Sequence, residues 1–290
     1  MAMLKEGTAS HTISKKAGTF NLDFLKFEAQ HSFLEYVFGG CEIDLSMAID
    51  FTLSNGDPND PSSLHFFDPR QNQYLKAIKS VGDILQFYNS DKMINLYGFG
   101  GAISPFSNRA SHCFALNGDI FNPRVNGIES VISHYRAALQ SCQLYGPTHF
   151  SKILAEQNDF AQSANVSQNN QKFHILLILT DGVINDMQKT IDEIVRGSEL
   201  PLAIIIVGIG NADFTTMEIL DGDEEALYSS AYRKYMSADI VQFVPFDEFK
   251  NNPHMLAKEV LDEIPGQLLN YMRKHQIQPY PKTAEQRRMI

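Results

Sequence analysis

The sequence predicts one α/β domain with a doubly wound, mostly parallel, Rossmann-like sheet and helices on both of its faces. Three observations support this fold class. Apolar segments of strand length alternate with amphipathic segments of helix length. Residues 203–207 are continuously apolar, as in a central strand covered on both faces. No proline- or serine-rich linker interrupts residues 31–278. Such alternation implies right-handed crossovers between parallel strands.

The predicted strands are short apolar segments that end in polar or glycine-containing turns. Residues 43–50 run into a polar loop, and residues 93–99 are followed by Gly100 and Gly101. Residues 112–116 predict a short edge strand. The remaining predicted strands are 173–179, 201–209 and 240–244.

The predicted helices are amphipathic, with apolar residues three or four positions apart. One begins after the Gly146-Pro147-Thr148 turn, and Pro265 must kink or restart the last one. The other predicted helices span residues 73–89, 127–142, 186–198 and 254–275.

The two ends of the chain lack this alternation. We expect residues 1–30 to be an N-terminal tail or the remnant of something upstream, with a possible strand from Phe20 to Phe27. Residues 31–280 form the domain, and the polar residues 281–290 form a C-terminal tail.

Composition excludes several classes of protein. The chain has 24 Lys and Arg against 34 Asp and Glu, a net charge of −10, so a nucleic-acid binder with a basic face is not expected. Three cysteines without a CxxC pair cannot form a closed disulfide framework or a thiolate zinc site by themselves. The sequence contains no signal-peptide pattern and no apolar run of membrane-spanning length. We therefore expect a soluble cytoplasmic protein.

Polar residues that can bind a metal follow three predicted elements. Asp50, Thr52 and Ser54 come directly after the first strand, Thr148 lies at a turn before a helix, and Asp181 follows the strand at 173–179. Ligands of open α/β sheets bind beyond the carboxyl ends of the strands. Carboxylates and hydroxyls are hard oxygen donors, so the set predicts Mg²⁺ first, with Mn²⁺ or Ca²⁺ as alternatives.

The spacing of the first three residues predicts their orientation. In an extended segment, residues two apart point the same way, so Asp50, Thr52 and Ser54 can face one ion while Phe51 and Leu53 turn into the core. An alternative remains for Ser54 and Thr148, since both precede helical segments and could serve as helix caps.

These residues carry a resemblance. The Asp-x-Thr-x-Ser motif at 50–54, the distant Thr148 and the Thr180-Asp181-Gly182 triplet resemble the metal-ion-dependent adhesion site of von Willebrand factor A domains. The sequence around these motifs resembles one family with such a domain, the copine family, over roughly residues 31–280. The matching segments are 33–36 with 39–41, 48–52, 54–58, 145–148, 178–184, 204–208 and 240–246. The chain departs from many relatives at Leu53, where a small residue is frequent, and we expect a packing change there without loss of the ion.

The resemblance implies a protein-binding module and no catalysis. In such domains the hydroxyls matching Thr52 and Ser54 ligate the ion directly, the threonine matching Thr148 binds directly or through water, and the aspartates matching Asp50 and Asp181 act mostly through water. A carboxylate of a target protein then completes the coordination shell of the ion.

Copines also carry two calcium-dependent lipid-binding modules ahead of this domain, and residues 1–30 could include the last strand of the second module. Membrane association on a calcium rise, with roles in trafficking and signalling, is thus implied only for the full-length protein.

Two other functions remain as alternatives. A magnesium-dependent phosphatase or phosphotransferase of the haloacid-dehalogenase type also has an aspartate after its first strand. Such an enzyme needs a second acid two residues later, where this chain has Thr52. The domain could also be a scaffold that binds partners without a metal, through the helices at 73–89 or 254–275.

Overall fold

The computed structural model describes residues 9–14, 18–22, 30–103, 109–222 and 225–281. The chain divides into two compact units, Met1–Ser32 and Phe33–Ile290. In the first unit, strand β1 (Ala9–Ser14) pairs antiparallel with strand β2 (Gly18–Leu22). The strand predicted near residues 20–27 overlaps β2, and residues 23–29 lie outside the described residues, as do residues 282–290 of the expected C-terminal tail. That residues 1–30 are a tail or the remnant of a module stays a prediction.

The second unit is built on a sheet that has seven strands within the described residues. Its spatial order is β13-β10-β9-β3-β4-β6, and β7 also pairs with β4. The pairs from β13 to β4 are parallel, whereas β6 and β7 run antiparallel to β4. The strands are β3 (Glu42–Asp50), β4 (Met93–Phe99), β6 (Phe114–Ala115), β7 (Arg124–Asn126), β9 (Lys172–Thr180), β10 (Leu202–Gly208) and β13 (Val241–Pro245).

Two strand pairs lie outside this sheet. Strand β5 (Gly101–Ile103) pairs antiparallel with β8 (Cys142–Leu144), and β11 (Tyr228–Ser229) pairs antiparallel with β12 (Lys234–Tyr235). The pair β5–β8 brings the chain after β4 next to the segment that leads to Thr148.

The helices connect the strands and cover the sheet. Their bounds are α1 (Phe33–Gly39), α2 (Gln73–Leu85), α3 (Gly127–Ser141), α4 (Ser151–Ser163), α5 (Met187–Gly197), α6 (Thr215–Asp221), α7 (Phe246–Phe249), α8 (Pro253–Leu261) and α9 (Ile264–Lys274).

The predicted fold class is confirmed, and its strands and long helices lie where the sequence placed them to within a few residues. The helix predicted at 254–275 is two helices, α8 and α9. Pro265 occupies the first turn of α9, where its missing N–H costs nothing, so it restarts the helix. The edge strand expected at 112–116 is the two-residue β6.

Apolar residues of the central strands alternate between two cores. In β9, Ile175 and Leu177 face the core formed with α1, α2, α3, α8 and α9, whereas Leu176 and Ile178 face the core formed with α4, α5 and α6. Successive strand residues point to opposite faces. A strand buried on both sides therefore has to be continuously apolar, which is the pattern observed in the sequence.

Among the described residues, no helix is both long and apolar enough to span a bilayer.

Candidate metal site

Three neighbouring strands bring the candidate residues to one edge of the sheet. Strand β3 lies between β9 and β4, with Ile49 opposite Leu179 and Asp50 opposite Phe99. Because these strands are parallel, their carboxyl ends meet at the same edge. Asp50 at the end of β3 is thereby placed beside Asp181, which follows β9.

Four of the five candidate residues form one hydrogen-bonded chain. Asp50 Oδ1 accepts from the backbone N–H of Thr52 at 2.8 Å and from Thr52 Oγ1 at 2.6 Å. Thr52 Oγ1 lies 2.9 Å from Ser54 Oγ, and Ser54 Oγ donates to Asp181 Oδ1 at 3.0 Å. The structure thus joins residues separated by 127 positions in the sequence.

The positions of the protons in this hydrogen-bonded chain decide what lies between the hydroxyl oxygens of Thr52 and Ser54. When both carboxylates are ionised they can only accept, so the proton of Thr52 Oγ1 then points to Asp50 and that of Ser54 Oγ points to Asp181. No proton then remains for the 2.9 Å contact between the two hydroxyl oxygens. Their lone pairs face each other, an arrangement that a cation would stabilise.

The two carboxylates are buried without a compensating cation from the protein. Asp50 and Asp181 are both buried, and no Lys, Arg or His of the described residues forms an ion pair with either. Burial raises the pKa of Asp50, although hydrogen bonds from Thr52 and Thr180 oppose the shift. Burial and the nearby charge of Asp50 raise the pKa of Asp181 to about 7. The site therefore favours positive charge, as a proton or as a metal ion.

Thr148 lies on an adjacent loop and is not a member of the hydrogen-bonded chain. Tyr145, three residues earlier, forms an isolated bridge with Thr52. The backbone of Thr148 is held on both sides by Asn185, since Asn185 Oδ1 accepts from its N–H and its carbonyl accepts from the Asn185 N–H, both at 2.9 Å. The structure thus fixes this loop close to the site, and a role for the buried Thr148 as a ligand stays a prediction.

One expectation about orientation is wrong. Phe51 is buried as predicted, but Leu53 is 65% exposed. The chain leaves the extended conformation after Thr52 and forms a 3₁₀ turn over Leu53–Asn55, so the two-residue alternation ends there. Asn55 is buried in place of Leu53, and its side-chain amide donates to the carbonyl of Thr52 at 3.1 Å.

The capping alternative for Ser54 and Thr148 is also not observed. Ser54 lies inside the 3₁₀ turn, and its hydroxyl donates to Asp181. At the start of α4, the carboxylate of Asp186 accepts from the N–H groups of Phe150 and Ser151. That carboxylate supplies the acceptor that a capping Thr148 would have provided.

Three residues that sequence analysis did not assign to the site support it. Thr180 Oγ1 donates to Asp50 Oδ2 at 2.7 Å. Its position next to Asp181 in the sequence is the feature that could have indicated this role. Gly100 has a φ of +77°, and a Cβ there would overlap Cγ2 of Thr52. His65 Nε2 lies 2.8 Å from the carbonyl oxygen of Asp50. Neither Gly100 nor His65 carries a spacing pattern that points to the site.

His65 fixes the backbone of Asp50 as a neutral imidazole. Burial lowers the pKa of His65 to about 3, so the ring carries a single proton at neutral pH. The carbonyl of Asp50 can only accept, so this proton is on Nε2, and Nδ1 accepts from the Tyr135 hydroxyl at 2.7 Å. The site is thus tied to helix α3.

The donor set fits a hard divalent ion. Within the described ranges, no group of three or more His, Cys, Asp or Glu side chains that could hold a metal ion is found. The candidate site differs from such a group because it has only two carboxylates, and its other oxygen donors are hydroxyls. Oxygen donors of this type suit Mg²⁺, Mn²⁺ and Ca²⁺, whereas Zn²⁺ prefers nitrogen and sulfur.

The fold and the candidate metal site define an α/β domain whose polar groups lie together at the carboxyl ends of parallel strands. The family model for copines matches residues 63–280. Copine-A of Dictyostelium discoideum is 46% identical over 268 residues, which covers 92% of this chain and 44% of that protein. The chain belongs to the copine family, and it spans less than half the length of this curated relative.

The solved structures that match this chain are less similar to it than Copine-A is. Manganese-loaded TRAP protein of Plasmodium vivax has a TM-score of 0.43 and 12% identity, covering 85% of this chain and 76% of that one. Proximal thread matrix protein 1 from the mussel byssus, with a zinc-occupied MIDAS motif, has a TM-score of 0.38 and 14% identity, covering 76% and 46%. The N-terminal domain of TFIIH p34 has a TM-score of 0.42 and 14% identity, covering 78% and 98%. Scores this low assign no role to any residue of this chain.

Proposed function

We propose that this copine-family domain recruits target proteins through a divalent cation. The cation is Mg²⁺ in preference to Mn²⁺ or Ca²⁺, held by Asp50, Thr52, Ser54, Thr148 and Asp181. Held mainly by neutral hydroxyls and water, the ion would stay electron-poor. An Asp or Glu side chain of the target would then complete its coordination.

The observation that supports this proposal most is the contact between Thr52 Oγ1 and Ser54 Oγ. The two oxygens lie 2.9 Å apart, each within hydrogen-bond distance of a different buried carboxylate, and when both carboxylates are ionised the two hydroxyls have no proton to share. Two oxygen atoms that face each other without a shared proton repel, and Thr52 is buried while Ser54 is exposed, so an ion arriving from solvent can reach both. A cation bound by the two lone pairs would relieve that repulsion.

The proposed role is binding and not catalysis. A phosphotransferase of the haloacid-dehalogenase type would need a carboxylic acid at position 52, where this chain has a threonine whose hydroxyl donates to Asp50 at 2.6 Å. A hydroxyl held in this way cannot act as the general acid of that mechanism.

The cellular setting is proposed for the full-length protein. The chain spans 44% of the length of Copine-A. We assign calcium-triggered membrane association to the lipid-binding modules of full-length copines, and target recruitment in the cytoplasm to the domain described above.

Calorimetric titration of Mg²⁺ into the wild type and the Ser54→Ala variant tests the site. We expect the wild type to bind one ion per chain and Ser54→Ala to bind it at least about tenfold more weakly, since the loss of even a residue that only supports a metal ligand typically costs about 10–100-fold in metal affinity. Ser62→Ala is the matched control because it removes an exposed hydroxyl that donates to Asp60 Oδ1 at 2.8 Å. Equal Mg²⁺ affinity in the wild type and Ser54→Ala would reject the site.

Proximity labelling with and without a chelator tests recruitment. Target proteins that use the ion should be labelled by the wild type in Mg²⁺, and they should be lost both on chelation and in the Ser54→Ala variant. Targets that are retained under all three conditions would contradict the proposal and favour a metal-independent scaffold.

A further inference from the structure

Leu53 is an exposed apolar side chain within the candidate metal motif. It lies between Thr52 and Ser54, and it is 65% exposed because of the 3₁₀ turn. A single exposed leucine is ordinary on a protein surface. This one is flanked in sequence on both sides by candidate ligands, so it lies on the exposed surface beside the candidate site.

Two more exposed apolar residues lie on the neighbouring loops. Tyr145 is 42% exposed, and its carbonyl oxygen accepts from the N–H of Leu53. Val183 is 51% exposed and follows two residues after Asp181, which accepts from Ser54 Oγ at 3.0 Å. Two residues of extended chain span at most about 7 Å, so the backbone of Val183 lies within that distance of the backbone of Asp181. We call Leu53, Tyr145 and Val183 the apolar collar.

We propose that the ion and the apolar collar together bind a target segment in which one Asp or Glu is flanked on both sides by apolar residues. This inference rests on the proposed function, since the carboxylate is recognised by the ion. The collar carries no charge, so its apolar surface gains from contact with apolar side chains, and it offers a charged side chain no ion-pair partner.

The charge around the collar argues against an acid-rich target. The chain has a net charge of −10, and Asp57 and Asp213, both exposed, lie on loops that follow strands at the same edge. Additional acidic residues in the target would be repelled there, whereas a single carboxylate is attracted at the ion itself. One acid with apolar neighbours is therefore the target chemistry that fits this surface.

Fluorescence polarisation with three labelled synthetic peptides tests the inference in Mg²⁺. The first peptide carries aspartate between leucine and phenylalanine, the second carries aspartate between two serines, and the third carries asparagine between leucine and phenylalanine. We expect the wild type to bind the first peptide at least tenfold more tightly than either of the others. A wild type that binds the first two peptides equally, or none of them, would overturn the inference.

Collar variants separate this inference from the proposed function. Leu53→Ser and Val183→Ser should each weaken binding of the first peptide at least fivefold, with calorimetric Mg²⁺ affinity unchanged. Phe121→Ser is the control, since Phe121 is 97% exposed and precedes β7, which pairs with the amino-terminal half of β4. Normal peptide binding by both collar variants, together with loss in Ser54→Ala, would reject the collar and leave the cation proposal standing. If the wild type binds no Mg²⁺, the cation proposal fails and the collar proposal fails with it.

Discussion

The Asp50→Asn variant is expected to lose Mg²⁺ binding while it keeps the fold. Asparagine has the same shape as aspartate, and its side-chain oxygen can still accept from the N–H and the hydroxyl of Thr52, as Asp50 Oδ1 does at 2.8 and 2.6 Å. The lost negative charge, however, removes half of the attraction that two buried carboxylates exert on a cation. We therefore expect a folded protein without a functional ion site.

Thermal unfolding with and without Mg²⁺ measures this effect. An ion at about 100 times its Kd stabilises the folded state by about 2.7 kcal/mol. For a domain of this size, that corresponds to a rise in Tm of roughly 5–10 °C. The wild type should show this rise, and Asp50→Asn should show none. A similar rise in both proteins would contradict a role for Asp50 at the ion.

The same variant should also change the pH dependence of the ion-free protein. The pKa of Asp181 is about 7 in the folded state against 3.8 for an unperturbed carboxyl, so the folded state binds more protons between these values. The contribution of Asp181 to stability is full below about pH 4 and is lost as the pH rises through about 7. Because the charge of Asp50 is one cause of the shift, Asp50→Asn should flatten this decline.

The Gly100→Ala variant is expected to damage both stability and ion binding. Gly100 has a φ of +77°, a conformation that costs alanine about 1–2 kcal/mol. The added Cβ would also overlap Cγ2 of Thr52 and lie 3.3 Å from the Thr52 backbone nitrogen. Relieving that overlap costs about 1–3 kcal/mol more and displaces a candidate ligand.

Gly118→Ala is the control for backbone strain alone. Gly118 has a φ of +83°, and a Cβ there would meet nothing within 4 Å. We expect it to lower the free energy of unfolding by about 1–2 kcal/mol without changing Mg²⁺ affinity. Gly100→Ala should cost more in denaturant unfolding and should bind Mg²⁺ more weakly. Equal effects of the two variants would show that the close approach of Gly100 to Thr52 has no consequence.

Much of the fold could be predicted because it depends on patterns of apolar residues. The continuous apolar run in β10 requires burial on both faces, and the two cores that share β9 and β10 are its direct consequence. The strand-end rule likewise predicted that Asp50 and Asp181 meet, although they are distant in sequence. Short elements such as β5 and β8, with three residues each, leave no comparable periodicity and were not predicted.

The details of the site depend on local geometry that periodicity does not encode. The outward orientation of Leu53 follows from a 3₁₀ turn that ends the two-residue alternation after Thr52. The contact of His65 with the carbonyl of Asp50 depends on how a loop folds back across 15 residues. The role of Gly100 depends on a close approach between two loops, which becomes visible only when the strands are paired.

The most direct test is a crystal structure of the protein grown with Mn²⁺, in which anomalous scattering locates the ion. An ion bound by oxygen ligands lies about 2.0–2.6 Å from them. We predict one strong anomalous peak at that distance from both Thr52 Oγ1 and Ser54 Oγ. Crystals saturated with Mn²⁺ that show no peak between these two hydroxyls would contradict the account.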